Sequence, residues 1–219
     1  MTSPEDISLR ARFERFPATV KGAFVVRGED SVPHQVRIEG ARVVRVPGGT
    51  VRPVPITPVT LDVAPHKDVF VPFELAIAEL EPAWYEFEVD ADVDGSPRSV
   101  PGGRRFAIPW PRSAVRSGTL RADKPAALGG GVTARVERIQ AGSDGLAVRY
   151  VVEPPRAVSV RLFADEDRLE VVEEEFDNDS GRGQVRAYPV LRSHHELRLK
   201  FKASAGKGRE EPAEIRVSL

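Results

Sequence analysis

Apolar and polar residues alternate with period two along almost the whole chain, and no segment of helical length carries a 3.6-residue apolar stripe. A strand sends successive side chains to opposite faces, so this pattern fits half-buried strands and disfavours amphipathic helices. Leu9, Ala11 and Phe13 alternate with Arg10, Arg12 and Glu14, and Val36 and Ile38 alternate with Arg37 and Glu39. Val69, Val71, Phe73, Leu75 and Ile77 give the cleanest apolar face of the N-terminal half. Beside them Tyr85, Phe87, Val89, Ala91 and Val93 point inward while Glu86, Glu88, Asp90 and Asp92 face water. A last strand near residues 104–108 closes this first set.

The pattern lapses between Ile108 and Gly131, where Pro109-Trp110-Pro111, a polar stretch and Gly129-Gly130-Gly131 stand. This break predicts two domains, 1–112 and 113–219, with a linker around 109–131. In the second half seven strands are expected, at about 132–140, 145–153, 157–164, 167–173, 182–188, 195–203 and 213–219. Seven short strands at this spacing match a sandwich. Leu80-Glu81-Pro82 followed by Tyr85 reads as a corner in which a buried phenol bonds to backbone just upstream. On that corner and the strand count, the chain resembles a tandem of immunoglobulin/fibronectin-type-III-like Greek-key β-sandwich domains. The resemblance implies an all-β fold and no particular function.

Composition removes several chemistries. With 32 basic and 33 acidic residues the net charge is −1, which supplies no long-range field to hold a polyanion or an anionic bilayer. Neither nucleic acid nor membrane is expected as a partner. Cysteine is absent, which removes disulfides, thiol nucleophiles and cysteine-based metal sites and suits a reducing, cytoplasmic location. The start, Met1-Thr2-Ser3-Pro4-Glu5-Asp6, is polar and acidic, and no apolar run approaches the ~20 residues of a spanning helix, so export and insertion are not expected.

Few motifs carry chemistry. Asp90, Asp92 and Asp94, followed by Gly95, open like a calcium loop, but the twelfth position is Pro101 and not the bidentate Glu such a loop needs. The competing reading is an acidic strand end that finishes in an Asp94-Gly95 hairpin turn. His194-His195 is the only histidine pair, and adjacent strand residues face opposite ways, so a shared metal is disfavoured; surface loop histidines are expected. His34 and His66 each follow a proline in a turn-like context without a supporting motif. Pro53-Val54-Pro55-Ile56-Thr57-Pro58 must be extended and reads as a rigid connection or an edge that blocks pairing.

These features lead to an expectation of a non-enzymatic protein: an adaptor, scaffold or structural accessory that binds a protein partner, with a homo-oligomer left open. Its expected surface is a groove between the domains, where Trp110 sits in a rigid connection and the His194-His195 corner converges. Arg104, Arg105 and Arg112 form its cationic rim, opposite the acidic run Glu173–Asp177. Two alternatives stand beside it. One is a carbohydrate-binding or other ligand-binding module, in which Trp84 and Trp110 are exposed stacking platforms and Asp90, Asp92 and Asp94 hold calcium. The other is a hydrolase with an unrecognised carboxylate pair.

Overall fold

The computed structural model describes residues 6–49, 51–122, 125–203 and 213–219, and these form an all-β protein built of antiparallel sheets. The chain divides into two compact units, Met1–Ile108 and Pro109–Leu219. Each is consistent with a β-sandwich.

The N-terminal unit runs β1 (Ile7–Arg15), β2 (Thr19–Gly28), β3 (His34–Val46), β4 (Val51–Val54), β5 (Val59–Val63), β6 (Asp68–Ala76), β7 (Ala83–Val93) and β8 (Ser96–Ile108). One sheet has the order β1-β2-β6, and the other β4-β3-β7-β8. Strand β5 pairs the first part of β3, Ile38 opposite Val59, while β4 pairs the last part, Ala41 opposite Val54. Because β7 occupies the other side of β3, β4 and β5 form one edge interrupted at residues 55–58. This is where the proline-rich run falls. Pro53 lies within β4 and cannot donate to a further strand, so the run blocks that edge, as its sequence predicts.

The facing sides of the two sheets meet through aromatic rings. Phe87 on β7 lies 5.7 Å from Phe24 on β2 and 4.9 Å from Phe73 on β6, and Phe24 stacks on Phe73 at 4.5 Å. Alternation therefore assigns the inward face of β6 and β7 correctly. Tyr85 is buried, its ring stacks on Phe106 at 5.8 Å, and its hydroxyl donates to the Glu81 carbonyl at 3.2 Å. The bond to backbone four residues upstream is the one expected of a corner tyrosine. The last strand begins at Ser96, well before the residues where alternation places it, because β7 turns directly into β8.

The C-terminal unit comprises β9 (Gly118–Leu120), β10 (Ala126–Gly129), β11 (Val132–Gly142), β12 (Gly145–Glu153), β13 (Val158–Ala164), β14 (Asp167–Leu169), β15 (Val171–Asp177), β16 (Arg182–Ala187), β17 (Glu196–Ala203) and β18 (Ala213–Ser218). Its sheets have the orders β10-β11-β12-β16-β15, with β9 also on β11, and β14-β13-β17-β18. Between them lie Leu146, Val148, Tyr150 and Val152 from one sheet and Leu162, Leu197, Leu199 and Phe201 from the other.

Two expectations are corrected here. The stretch 109–131, read as a linker, contains β9 and β10, and Gly129-Gly130-Gly131 is the turn of the β10–β11 hairpin. All three glycines have positive φ, at 85, 56 and 77°, a backbone that side chains rarely adopt. The single strand expected at 167–173 is two strands: β14 pairs β13, and beyond Glu170 the chain crosses to pair β16 as β15. A change of partner sheet leaves no mark on local alternation.

Candidate functional site

Within each unit, most of the residues singled out from the sequence are engaged in packing, ion pairs or turns. Trp84 stands on the same side of β7 as Glu86, yet it is only 8% exposed, and Val46 and Ala107 opposite it in register are buried as well. Its indole N–H is buried and has no hydrogen-bond partner among the described residues. Alternation assigns a side chain to a face but cannot tell what covers that face, and Trp84 is not a stacking platform. Trp110 is half-buried; its ring meets Tyr188 edge-on at 5.1 Å and its backbone N–H donates to Ser143 at 2.8 Å, so it packs into the C-terminal unit.

The arginines of the expected rim divide in the same way. Arg104 lies 5.0 Å from the Phe13 ring and donates to the Phe13 carbonyl at 3.3 Å, while Arg105 is paired with Glu86 at 2.9 Å. Arg112 is exposed. The histidine pair sits in the corner before β17, but only His195 is a surface residue. His194 is 8% exposed, and its ring Nδ1 accepts from the Leu191 N–H at 3.1 Å. One ring faces the interior and the other solvent, which separates them as ligands.

The acidic strip of β7 is committed carboxylate by carboxylate. Asp90 pairs with Arg42, which also donates to Glu88 at 2.8 Å and Ser99 at 3.0 Å. Asp92 accepts the Gly95 N–H at 2.7 Å. Asp94 and Gly95 have φ of 51 and 82°, the two positive values of a tight type I′ hairpin turn. Among the described residues no group of three His, Asp or Glu side chains is arranged to hold a metal ion; Asp90, Asp92 and Asp94 form a ladder and a turn, and the calcium-loop reading is not supported.

What does assemble is a cluster built by tertiary register. Strands β2, β5 and β7 end, and β3, β6 and β8 begin, at one end of the N-terminal unit, because Arg27 pairs with Asp68, His34 with Val63 and Val36 with Val93. The connections 29–33, 64–67 and 94–95 are therefore neighbours. The His66 N–H donates to Gly28 at 2.9 Å, tying the second connection to the end of β2. His34, the first residue of β3, bridges the other two: Nδ1 lies 2.6 Å from Asp94 and Nε2 lies 2.9 Å from Asp30. Asp94 also accepts the Gln35 N–H at 2.9 Å.

The His34 side chain is 8% exposed, and both ring nitrogens face carboxylates. Only an imidazolium has two N–H donors, so the geometry favours the charged ring. The hydrogen bond to Asp94, then that to Asp30, raises the His34 pKa above its ordinary value against the opposing effect of burial. The same hydrogen bonds hold both carboxyls below the usual range. The result is a charged clamp across two loops. Its two ring nitrogens point at different carboxylates on opposite sides, which suits bracing and not chelation of a single ion. Along the sequence His34 stands without a supporting motif because Asp94 lies sixty residues away. The Asp30-x-x-x-His34 spacing was the only local signal.

Comparison with protein-family models and with curated proteins returned no match.

Proposed function

We propose that the chain is a non-enzymatic protein-binding module made of two immunoglobulin/fibronectin-type-III-like sandwiches, and that the loop end of its N-terminal unit receives the partner. Strand order supports the fold assignment. With β1, β2, β3, β6, β7 and β8 taken as strands A, B, C, E, F and G, the N-terminal sheets have the orders A-B-E and C′-C-F-G, β4 serving as C′. In the C-terminal unit β11-β12-β16-β15 reads as A-B-E-D and β14-β13-β17-β18 as C′-C-F-G, with β9 and β10 added beside A. Such sandwiches cluster their loops at two ends, and loops held by a rigid scaffold are frequent binding elements.

The observation that carries the reading is the Asp30–His34–Asp94 clamp. Binding through loops is weakened by the entropy of ordering them, and a clamp made before the partner arrives removes part of that cost. Val32, 53% exposed in the first connection, and His66, at a φ of 57° in the second, stand on the rim so formed.

Affinity capture with the intact chain, followed by identification of the retained proteins, tests the proposal. Val32→Glu and His66→Glu should lose the same specific partner with the melting temperature intact. A retained set indifferent to both substitutions would refute the loop end as the binding surface, and residue-dependent turnover of a substrate would refute the non-enzymatic reading.

A further inference from the structure

The outer face of the sheet β14-β13-β17-β18 carries an excess of positive charge that the chain as a whole conceals. Val160, Leu162, Leu197, Leu199, Phe201, Ile215 and Val217 point into the core, which leaves the alternate residues outside. In register, Arg161 stands opposite Lys200 and Lys200 opposite Glu214; Phe163 stands opposite Arg198 and Arg198 opposite Arg216. Lys202 extends the row on β17, and Arg168 on β14 faces Phe163. Arg161, Arg168, Arg198, Lys200, Lys202 and Arg216 are six cations, whereas these strands set only Glu196 and Glu214 among them and the turn between β13 and β14 adds Glu166, 3.2 Å from Arg198.

All three carboxylates are already engaged. Glu214 meets Lys200 at 3.5 Å and Arg216 at 2.6 Å, and Glu196 lies 3.6 Å from Arg198 and 3.8 Å from Arg216. Arg161, Arg168 and Lys202 are exposed and have no ion pair among the described residues. The other sheet of the same unit is arranged differently. There Glu173, Glu175 and Asp177 on β15 face Arg186, Gln184 and Arg182 on β16, and Arg186 is paired with Glu173 at 3.3 Å. Positive charge thus exceeds negative on one face of the unit, six cations against three carboxylates, and is balanced on the other.

We propose that this face docks an acidic protein segment in extended conformation. The proposal rests on the reading that the chain works by binding protein, and it names a second surface and the chemistry of what binds there. Lys200 and Lys202 are two residues apart on one strand, about 6.6 Å along it, and Arg161 flanks them on the next. An extended segment with a carboxylate at every second residue repeats at the same distance and can meet the row in register. Phe163 holds the cations in place: Lys200 Nζ lies 5.0 Å and the Arg198 guanidinium 5.7 Å from its ring centre. These cations occupy the ring, so it offers no platform for stacked bases. The carboxylates of Glu196 and Glu214 and a net charge of −1 further disfavour a phosphate backbone.

Fluorescence anisotropy with a labelled peptide of alternating Glu and Thr, titrated with the whole chain at low salt, provides the test. Binding should be saturable and weaken with added salt, and Arg161→Glu/Lys202→Glu should weaken it by about tenfold or more with an unchanged melting curve. Arg161→Gln/Lys202→Gln should fall in between, which separates loss of attraction from a folding defect. Absence of peptide binding by the wild type, or equal binding by the charge-reversed variant, overturns the proposal. So does tighter binding of oligothymidylate or of phosphatidylserine vesicles than of the peptide. If charge reversal has no effect while Val32→Glu still abolishes partner capture, this face is excluded and the loop-end reading stands.

Discussion

The two buried corner and core tyrosines should respond with opposite sign to loss of the hydroxyl. Tyr150 on β12 is fully buried, its ring lies over Gly183 of β16, and it meets Phe201 edge-on at 5.4 Å. The close approach requires glycine: a Cβ on Gly183 would sit 2.2 Å from the Tyr150 ring carbon that bears the hydroxyl. That hydroxyl has no hydrogen-bond partner among the described residues, and burial, followed by the nearby negative charge of Glu174, pushes the phenol pKa well above its ordinary value. A buried polar group without a partner costs about 1–3 kcal/mol, so Tyr150→Phe should stabilise the C-terminal unit by about 1 kcal/mol. For a unit of roughly a hundred residues this corresponds to about 4 °C or more in melting temperature. Tyr85→Phe removes the bond to Glu81 and should destabilise the N-terminal unit by about 1 kcal/mol. Urea unfolding of both variants, with the two units assigned by hydrogen exchange, measures both signs. A loss of 1 kcal/mol or more on Tyr150→Phe would refute the reasoning, because it would mean that the hydroxyl is satisfied.

Phe73→Ala should cost about 3–5 kcal/mol in the N-terminal unit, since its ring contacts both Phe24 and Phe87, and a cost near 1 kcal/mol in urea unfolding would place that face outside the core. The clamp predicts a pH dependence of stability. His34 has a raised pKa when folded, so its contribution is complete below its unfolded value of about 6.5 and is lost as pH rises through the higher folded value. Asp30 and Asp94, with lowered values, lose theirs as pH falls through the acid range. His34→Gln should flatten the alkaline limb, and an unchanged limb in thermal melts between neutral and mildly alkaline pH would assign that dependence elsewhere.

Local chemistry made much of this architecture legible. Alternation marks the strands because side-chain direction in a strand depends only on the residue's own position, and Asp94-Gly95 marks a hairpin because two successive positive φ values select those residues. Tyr85 was readable for the same reason, its partner Glu81 being four residues away. Strand pairing is nonlocal, and what depended on it was hidden. His34 acquires Asp94 only when β3 and β7 pair, and β15 leaves the sheet of β14 without any change of period. The cations of Arg161, Lys200 and Lys202 are unremarkable along a chain of nearly balanced charge and become one face only when β13 lies beside β17. Trp84 shows the same limit from the other side: its own strand turns it away from Tyr85, and packing around it decides that it is buried. Sequence determined which way each side chain points, and tertiary structure decided what it meets, because facing depends on a residue's immediate backbone and contact depends on segments folded together from across the chain.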